Sequence, residues 1–274
     1  MCGIVEGTPT GGQNVTRDLV KATSRDGTEV AAYASGSGPA LLVLHGTGGS
    51  WFSWEFVRPH LERDFTVYAM HRRGRGESSD GDDYSLEREG EDVAALVNAI
   101  GGAVVFGHSY GANCAMEAAV GGAAIEKLVL YEPAVQLSYP EDFLQRLDAL
   151  IAEGRREEAL VAAFEGFGVG PDQIEALRST PTWNERVALA HTIARECRAE
   201  RDYRADEKKL ENIDVPTLFL VGSDTDPPLK EGTEKLHTAM PHSQLRVFEG
   251  HGHMAMLTAP ELVAREVRTF VFDE

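Results

Sequence analysis

The stretch Ala103-Val104-Val105-Phe106-Gly107-His108-Ser109-Tyr110-Gly111-Ala112 constrains this chain more than any other. An apolar, β-branched run meets a serine with a glycine two residues to either side, and a run of small residues suited to a helix follows at once. Such a pattern marks a strand that turns sharply into a helix and pushes the serine hydroxyl out at the end of a sheet. The glycines have a steric reason. The turn holds the serine in strained backbone angles, and a β-carbon at either flank would collide with the neighbouring chain. With 28 glycines in 274 residues the pattern alone is weak. It gains force when a strand precedes it, a helix follows it, and an acid and a histidine come later in that order. All of these are present.

The rest of the chain alternates buried strands with helices. Asp18–Ser24 and Thr28–Ser35 flank Asp26-Gly27 and read as a hairpin. Ala40–Leu44 and Phe65–Met70 are uninterrupted apolar runs, as expected for strands covered on both faces. Ser50–Leu61 reads as a helix between them. Ser85–Ile100 has helical spacing through Val93, Leu96, Val97 and Ile100, with Ser85 as N-cap and Gly101 as stop. Lys127–Tyr131, Thr217–Val221 and Leu245–Phe248 are further strands, and a helix closes the chain from about Pro260 to Phe270. This rhythm predicts an α/β fold with a doubly wound, mostly parallel sheet. The interval Glu132 to Asn212 breaks it, being strand-free and rich in Glu, Arg, Ala and Leu. Its helix candidates are Glu141–Glu153, Arg155–Phe167 and Glu185–Ala199. The expected organisation is a core domain of residues 1–132 and 213–274 with a helical cap, 133–212, inserted into it.

Composition narrows the partners. A net charge of −18 disfavours nucleic acid and anionic membranes. No apolar window is long enough to span a bilayer, and the N-terminal residues lack the pattern of a signal peptide. Residues 1–16 are Gly/Thr-rich and expected to be poorly ordered. Cys2, Cys114 and Cys197 are too few and too scattered for a disulfide framework or a metal set, which suits a reducing cytoplasm. No phosphate-cradling or dinucleotide glycine pattern is present. The reading calls for no cofactor and no metal, and it leaves the oligomeric state open.

Taken together, His45-Gly46-Thr47-Gly48, Arg73-Gly74-Arg75-Gly76-Glu77-Ser78, Gly107-His108-Ser109-Tyr110-Gly111 and Gly252-His253 resemble the α/β-hydrolase superfamily. The resemblance spans about residues 18–132 and 213–274 and is specific to the fold, not to a substrate. It implies Ser109 as nucleophile and His253, on a glycine-flanked loop past the last strand, as base in preference to its neighbour His251. It implies an acid on the loop Gly222-Ser223-Asp224-Thr225-Asp226-Pro227. The usual position, three residues after the glycine, is Thr225 here, so Asp224 is preferred, Asp226 is the alternative, and Glu132 is a third candidate. The oxyanion donors implied are the backbone N–H groups of Tyr110 and of Thr47, or of Gly48. His71 stands where relatives often carry aspartate. His108 is expected to turn away from the site. Arg72, Arg73 and Arg75 are expected to be structural rather than an anion site. Trp54, Phe143, Phe164, Phe167 and Trp183 read as core more readily than as the lining of an acyl pocket.

A serine needs a positioned base to become a good nucleophile, and an acid to orient that base. The expected activity is therefore cofactor-free hydrolysis of a small apolar carboxylic ester, lactone or thioester through an acyl-enzyme on Ser109. Other chemistries on the same residues stay open, among them C–C hydrolysis, perhydrolysis and cyanohydrin cleavage. So does a non-catalytic protein that binds a small ligand under its cap.

Overall fold

The computed structural model describes residues 18–135 and 137–273. The expectations placed on residues 1–16, Cys2 included, lie outside the described residues. Eight strands form one sheet: β1 (Asp18–Thr23), β2 (Glu29–Gly36), β3 (Ala40–Leu44), β4 (Thr66–His71), β5 (Ala103–His108), β6 (Ile125–Tyr131), β7 (Thr217–Gly222) and β8 (Ser243–Phe248). Their spatial order is β1-β2-β4-β3-β5-β6-β7-β8. β1 and β2 pair antiparallel, β2 pairs antiparallel with β4, and β3 to β8 run parallel.

The parallel strands are apolar along their length because side chains alternate between two covered faces. Leu42, Leu44, Val105, Leu128, Leu130 and Phe219 enter one core cluster, whereas Leu41, Val43, Val104, Phe106, Val129, Leu218 and Leu220 enter the other. The first face is closed by α2 (Leu86–Ile100) and α3 (Tyr110–Val120). The second is closed by the helical turn α1 (Arg58–Leu61) and by α11 (Ala255–Thr258) and α12 (Pro260–Phe272). Ser85 caps α2 by accepting from the Arg88 N–H at 3.3 Å, and Gly101 ends it in a left-handed conformation, φ 93°. The expected helix over Ser50–Leu61 is two pieces, a 3₁₀ turn at Trp51–Trp54 and α1.

Between β6 and β7 come α4 (Glu141–Ala152), α5 (Arg156–Gly166), α6 (Pro171–Arg178), α7 (Trp183–Ala188), α8 (Ile193–Asp202) and α9 (Glu207–Leu210). α10 (Pro227–Ala239) links β7 to β8. The helices from α4 to α8 share an apolar cluster of their own, built on Leu144, Leu147, Leu160, Ile174, Trp183 and Ile193. The single helix expected over Glu185–Ala199 is broken by a 3₁₀ turn at Ala190–Thr192. There the Thr192 hydroxyl bonds the Leu189 carbonyl and accepts from Arg75 of the core. A tertiary contact thus overrides local helix propensity.

A tight constraint in the fold is the approach of α3 to β3. A β-carbon on Gly111 would lie 2.2 Å from the Leu44 carbonyl oxygen, and one on Gly107 would lie 2.5 Å from the Ala112 Cα. Both obstacles are backbone, which cannot rotate aside. Gly111→Ala is therefore expected to destabilise the protein by about 3 kcal/mol, the upper end for overpacking a tight site. Urea unfolding measures this, and an unchanged midpoint would contradict it.

Candidate active site

Ser109 sits between β5 and α3 with φ 56° and ψ −124°, one of two non-glycine residues with positive φ among those described. This strain lifts its side chain from the sheet edge. Tyr110 is the first residue of α3, so its N–H has no acceptor within the helix. The loop after β3 lies directly against the serine: a β-carbon on Gly46 would fall 2.9 Å from Ser109 Cβ. In that loop the Gly48 N–H donates to Glu196 Oε2 at 3.2 Å and the Gly49 N–H to the Gly46 carbonyl at 3.1 Å. The Thr47 N–H has no acceptor among the described residues. That leaves the backbone N–H groups of Thr47 and Tyr110 unengaged among the described residues, while the alternative, Gly48, is already engaged.

His253 comes from the loop after β8 and is partly exposed, its side chain 29% accessible. The loop is tied to the strands beneath it. The Tyr131 hydroxyl donates to the Gly252 carbonyl at 2.5 Å, and His108 Nε2 donates to the His253 carbonyl at 2.9 Å. His108 therefore does not turn away from the site as expected. Its ring centroid lies 4.4 Å from that of His253. Burial, and then the charge of His253, hold the His108 pKa well below the usual imidazole range, so it stays neutral. His251 serves through its backbone: its carbonyl accepts from the Asp224 N–H at 3.0 Å.

The acid beside the imidazole is Glu132, not Asp224 or Asp226. His253 Nδ1 lies 2.5 Å from Glu132 Oε2. Glu132 directly follows β6, has φ 45° and is fully buried. Its other oxygen accepts from the Gly222 N–H at 2.7 Å and the Thr225 hydroxyl at 2.5 Å. Asp224 is exposed, and its carboxylate accepts from the Ser223 hydroxyl at 2.9 Å. Asp226 is also exposed, at the N-terminus of α10. The physical reason is placement. The loop after β7 points a hydroxyl inward at Thr225, and that hydroxyl supports a carboxylate arriving from the adjacent strand. The signal was in the sequence, as a Glu at a strand end and a Thr where an acid is usual.

With Nδ1–H committed to Glu132, the lone pair of Nε2 is available on the opposite side of the ring. The Ser109 hydroxyl makes no hydrogen bond among the described residues. Such contacts are often long without substrate and tighten when it binds.

The three arginines are structural and fully buried. Arg72 forks onto Glu89, with Nη2 to Oε1 at 2.7 Å and Nε to Oε2 at 3.1 Å, and donates to the carbonyls of His45 and Gly46. Burial raises the Glu89 pKa, but the Arg72 charge overcomes this and leaves it below the usual carboxylate range. Arg73 forks onto Asp92 at 2.7 Å through both nitrogens. Arg75 donates to the Gly49 carbonyl, to Thr192 and to Glu196. His71 accepts from the Glu77 N–H at 3.0 Å, which fixes the turn carrying these arginines. Of the aromatic candidates, Trp54 packs edge-on against Phe106, 5.0 Å between centroids, in the core beneath the sheet. Trp183 belongs to the apolar cluster of the inserted helices, and Phe143, Phe164 and Phe167 pack against it.

Residues 41–266 match the model of the alpha/beta hydrolase family, and the chain belongs to that family. A solved alpha/beta hydrolase from Sphaerobacter thermophilus is 33% identical, covering 92% of this chain and 100% of its own, with a TM-score of 0.80. An N-formylmaleamate deformylase of Pseudomonas putida is 27% identical over 237 residues, 80% of this chain and 83% of that protein. A non-heme haloperoxidase of Rhodococcus erythropolis is 27% identical over 271 residues, 91% of this chain and 98% of that protein.

The short Nδ1 to Glu132 contact is expected to give a strongly downfield imidazole proton in the NMR spectrum. Glu132→Gln should abolish that resonance and Asp224→Asn should leave it. Loss in the second variant instead would reverse the assignment of the acid.

Proposed function

We propose that the protein is a serine hydrolase that cleaves a carboxylic ester through an acyl-enzyme on Ser109. The observation that carries this reading is the Glu132–His253 pair at 2.5 Å in a chain whose candidate nucleophile, Ser109, sits in a strained turn between strand and helix. In this scheme Ser109 Oγ attacks the carbonyl carbon and gives its proton to His253 Nε2. Glu132 holds the imidazole in the Nδ1–H tautomer and stabilises the imidazolium. The Thr47 and Tyr110 N–H groups receive the oxyanion, where loss of one donor costs about 3 kcal/mol. His253 then protonates the leaving alcohol, and water deacylates the enzyme by the same route reversed. No cofactor takes part. Residues 133–212 act as a cap over the core formed by 1–132 and 213–274. The substrate is a small, apolar ester, and the site of action is the cytoplasm.

A second reading uses the same residues with hydrogen peroxide in place of water at deacylation, which releases a peracid. The likeness to a protein named a non-heme haloperoxidase favours keeping it. The likeness to an N-formylmaleamate deformylase adds an N-formyl amide to the substrates worth testing.

A fluorophosphonate probe is expected to label Ser109, and p-nitrophenyl esters of rising acyl length to be turned over. Ser109→Ala should remove both. Glu132→Gln should lower kcat/KM by roughly 10³–10⁴-fold, the cost of losing the orienting acid in such a triad, while Asp224→Asn stays within about twofold. A wild-type protein that neither takes the probe nor hydrolyses any ester of the series would overturn the scheme. Peracid formation without ester hydrolysis would select the second reading.

A further inference from the structure

The helix α8 presents two carboxylates to the loop that carries the proposed oxyanion donor. Glu196 and Glu200 are one turn apart, hence on one face. Glu196 accepts from the Gly48 N–H, and Glu200 Oε1 accepts from the Thr47 hydroxyl at 2.7 Å. The second oxygen of Glu200 accepts from the Tyr139 hydroxyl at 2.6 Å. Glu196 is paired with Arg72 and Arg75, so its burial is offset by charge. Glu200 is just as deeply buried and has no ion pair among the described residues. Its direct side-chain partners are two hydroxyls.

Burying a carboxylate without a cation costs several kcal/mol, and an apolar side chain of similar size would pack a helix more stably. Stability alone therefore does not account for Glu200. Its attachment does. Thr47 is held by its side chain from the cap, and its N–H remains unengaged beside Ser109. If the hydroxyl were released, the peptide preceding Thr47 could rotate and turn that N–H away from the reacting carbonyl.

We propose that Glu200 is a positioning residue for the hydrolysis described above: by fixing the Thr47 hydroxyl from the cap, it aims the Thr47 N–H at the developing oxyanion. The inference rests on that reading of the site. It makes the cap part of the oxyanion machinery as well as a cover for substrate.

The role has a pH signature. The ionisable groups facing Glu200 are Tyr139 ahead of α4, Cys197 on α8 itself, Arg72 after β4 and His253 after β8. Burial pushes the Glu200 pKa up to about 6, against the pull of the Tyr139 and Thr47 hydrogen bonds and of the Arg72 and His253 charges. Once protonated, one of its oxygens becomes a donor and one hydroxyl loses its acceptor. The rate profile should then carry an acid inflection near pH 6 that belongs to Glu200.

The test measures kcat, KM and pH dependence with p-nitrophenyl acetate, and fluorophosphonate labelling of Ser109. The variants are Glu200→Ala, Glu200→Gln, Thr47→Val, Thr47→Ser and the double variant Glu200→Ala/Thr47→Val. Glu200→Ala and Thr47→Val should each lower kcat by roughly tenfold or more, less than outright loss of an oxyanion donor, with KM within about twofold. Thr47→Ser should keep activity. The double variant should be no worse than either single, since both break one link. Glu200→Gln should remove the inflection near pH 6. If Glu200→Ala does not fold, Thr47→Val against Thr47→Ser and the Glu200→Gln profile decide. Additive losses, a change in KM alone, or full activity in Thr47→Val while Ser109 still labels would overturn the proposal and leave the hydrolase reading standing. A wild-type protein that neither labels nor turns over ester would overturn both.

Discussion

One close backbone contact, the start of α3 against the end of β3, sets almost everything at the candidate site. Gly111 leaves no room for a side chain against the carbonyls of Leu44 and His45. That contact fixes where α3 begins, and with it the strained conformation of Ser109 and the direction of the Tyr110 N–H. Because β3 leads into the 45–49 loop, the same contact brings Gly46 against Ser109 Cβ. The nucleophile candidate and both oxyanion-donor candidates are thus placed by one packing event. Backbone is a good material for this, since it has no rotamers to lose.

Charge completes what packing begins. The 45–49 loop is gripped from below by Arg72, which bonds two of its carbonyls, and from the side by Arg75, which bonds a third. Each arginine is itself held by a buried carboxylate. Such pairs add little net stability over apolar packing, but breaking one leaves a bare buried charge at a cost of about 3–5 kcal/mol. They serve geometry more than stability. In an acidic chain, three arginines within four residues look like an anion site, and their full burial shows why they are not.

Much of the fold was readable from the residues. The parallel strands are apolar throughout because both faces are covered, and Ser85 and Gly101 punctuate α2 as local chemistry dictates. What escaped the sequence were features decided by distant contacts. The helix over 185–199 is interrupted where Arg75 reaches Thr192 from the core. Ser109 and Tyr110 stand at the turn from β5 into α3, and Thr47 in the loop after β3, where motif and local backbone are one thing. The acid was misplaced because no local rule says that Glu132 takes a positive φ and turns toward the loop after β7. Only the pairing of β6 with β7 puts its carboxylate within reach of the Gly222 N–H, Thr225 and His253. The Thr225 hydroxyl shows how the arrangement holds: the position that often carries the charge here solvates a charge supplied by its neighbour.

The Arg75–Glu196 pair has a kinetic corollary. It rivets α8 to the floor of the molecule, so swinging the whole inserted segment away as one body would strand two ions in a dry interior. At about 3–5 kcal/mol such an excursion occupies roughly one molecule in 150 to one in several thousand. Displacement of α4 to α7 is cheaper, since they are joined to α8 by apolar packing and by exposed ion pairs such as Arg198–Asp148 and Arg201–Glu141, and to the sheet by none of these buried charges. The doorway is expected on their side, with α8 as the jamb.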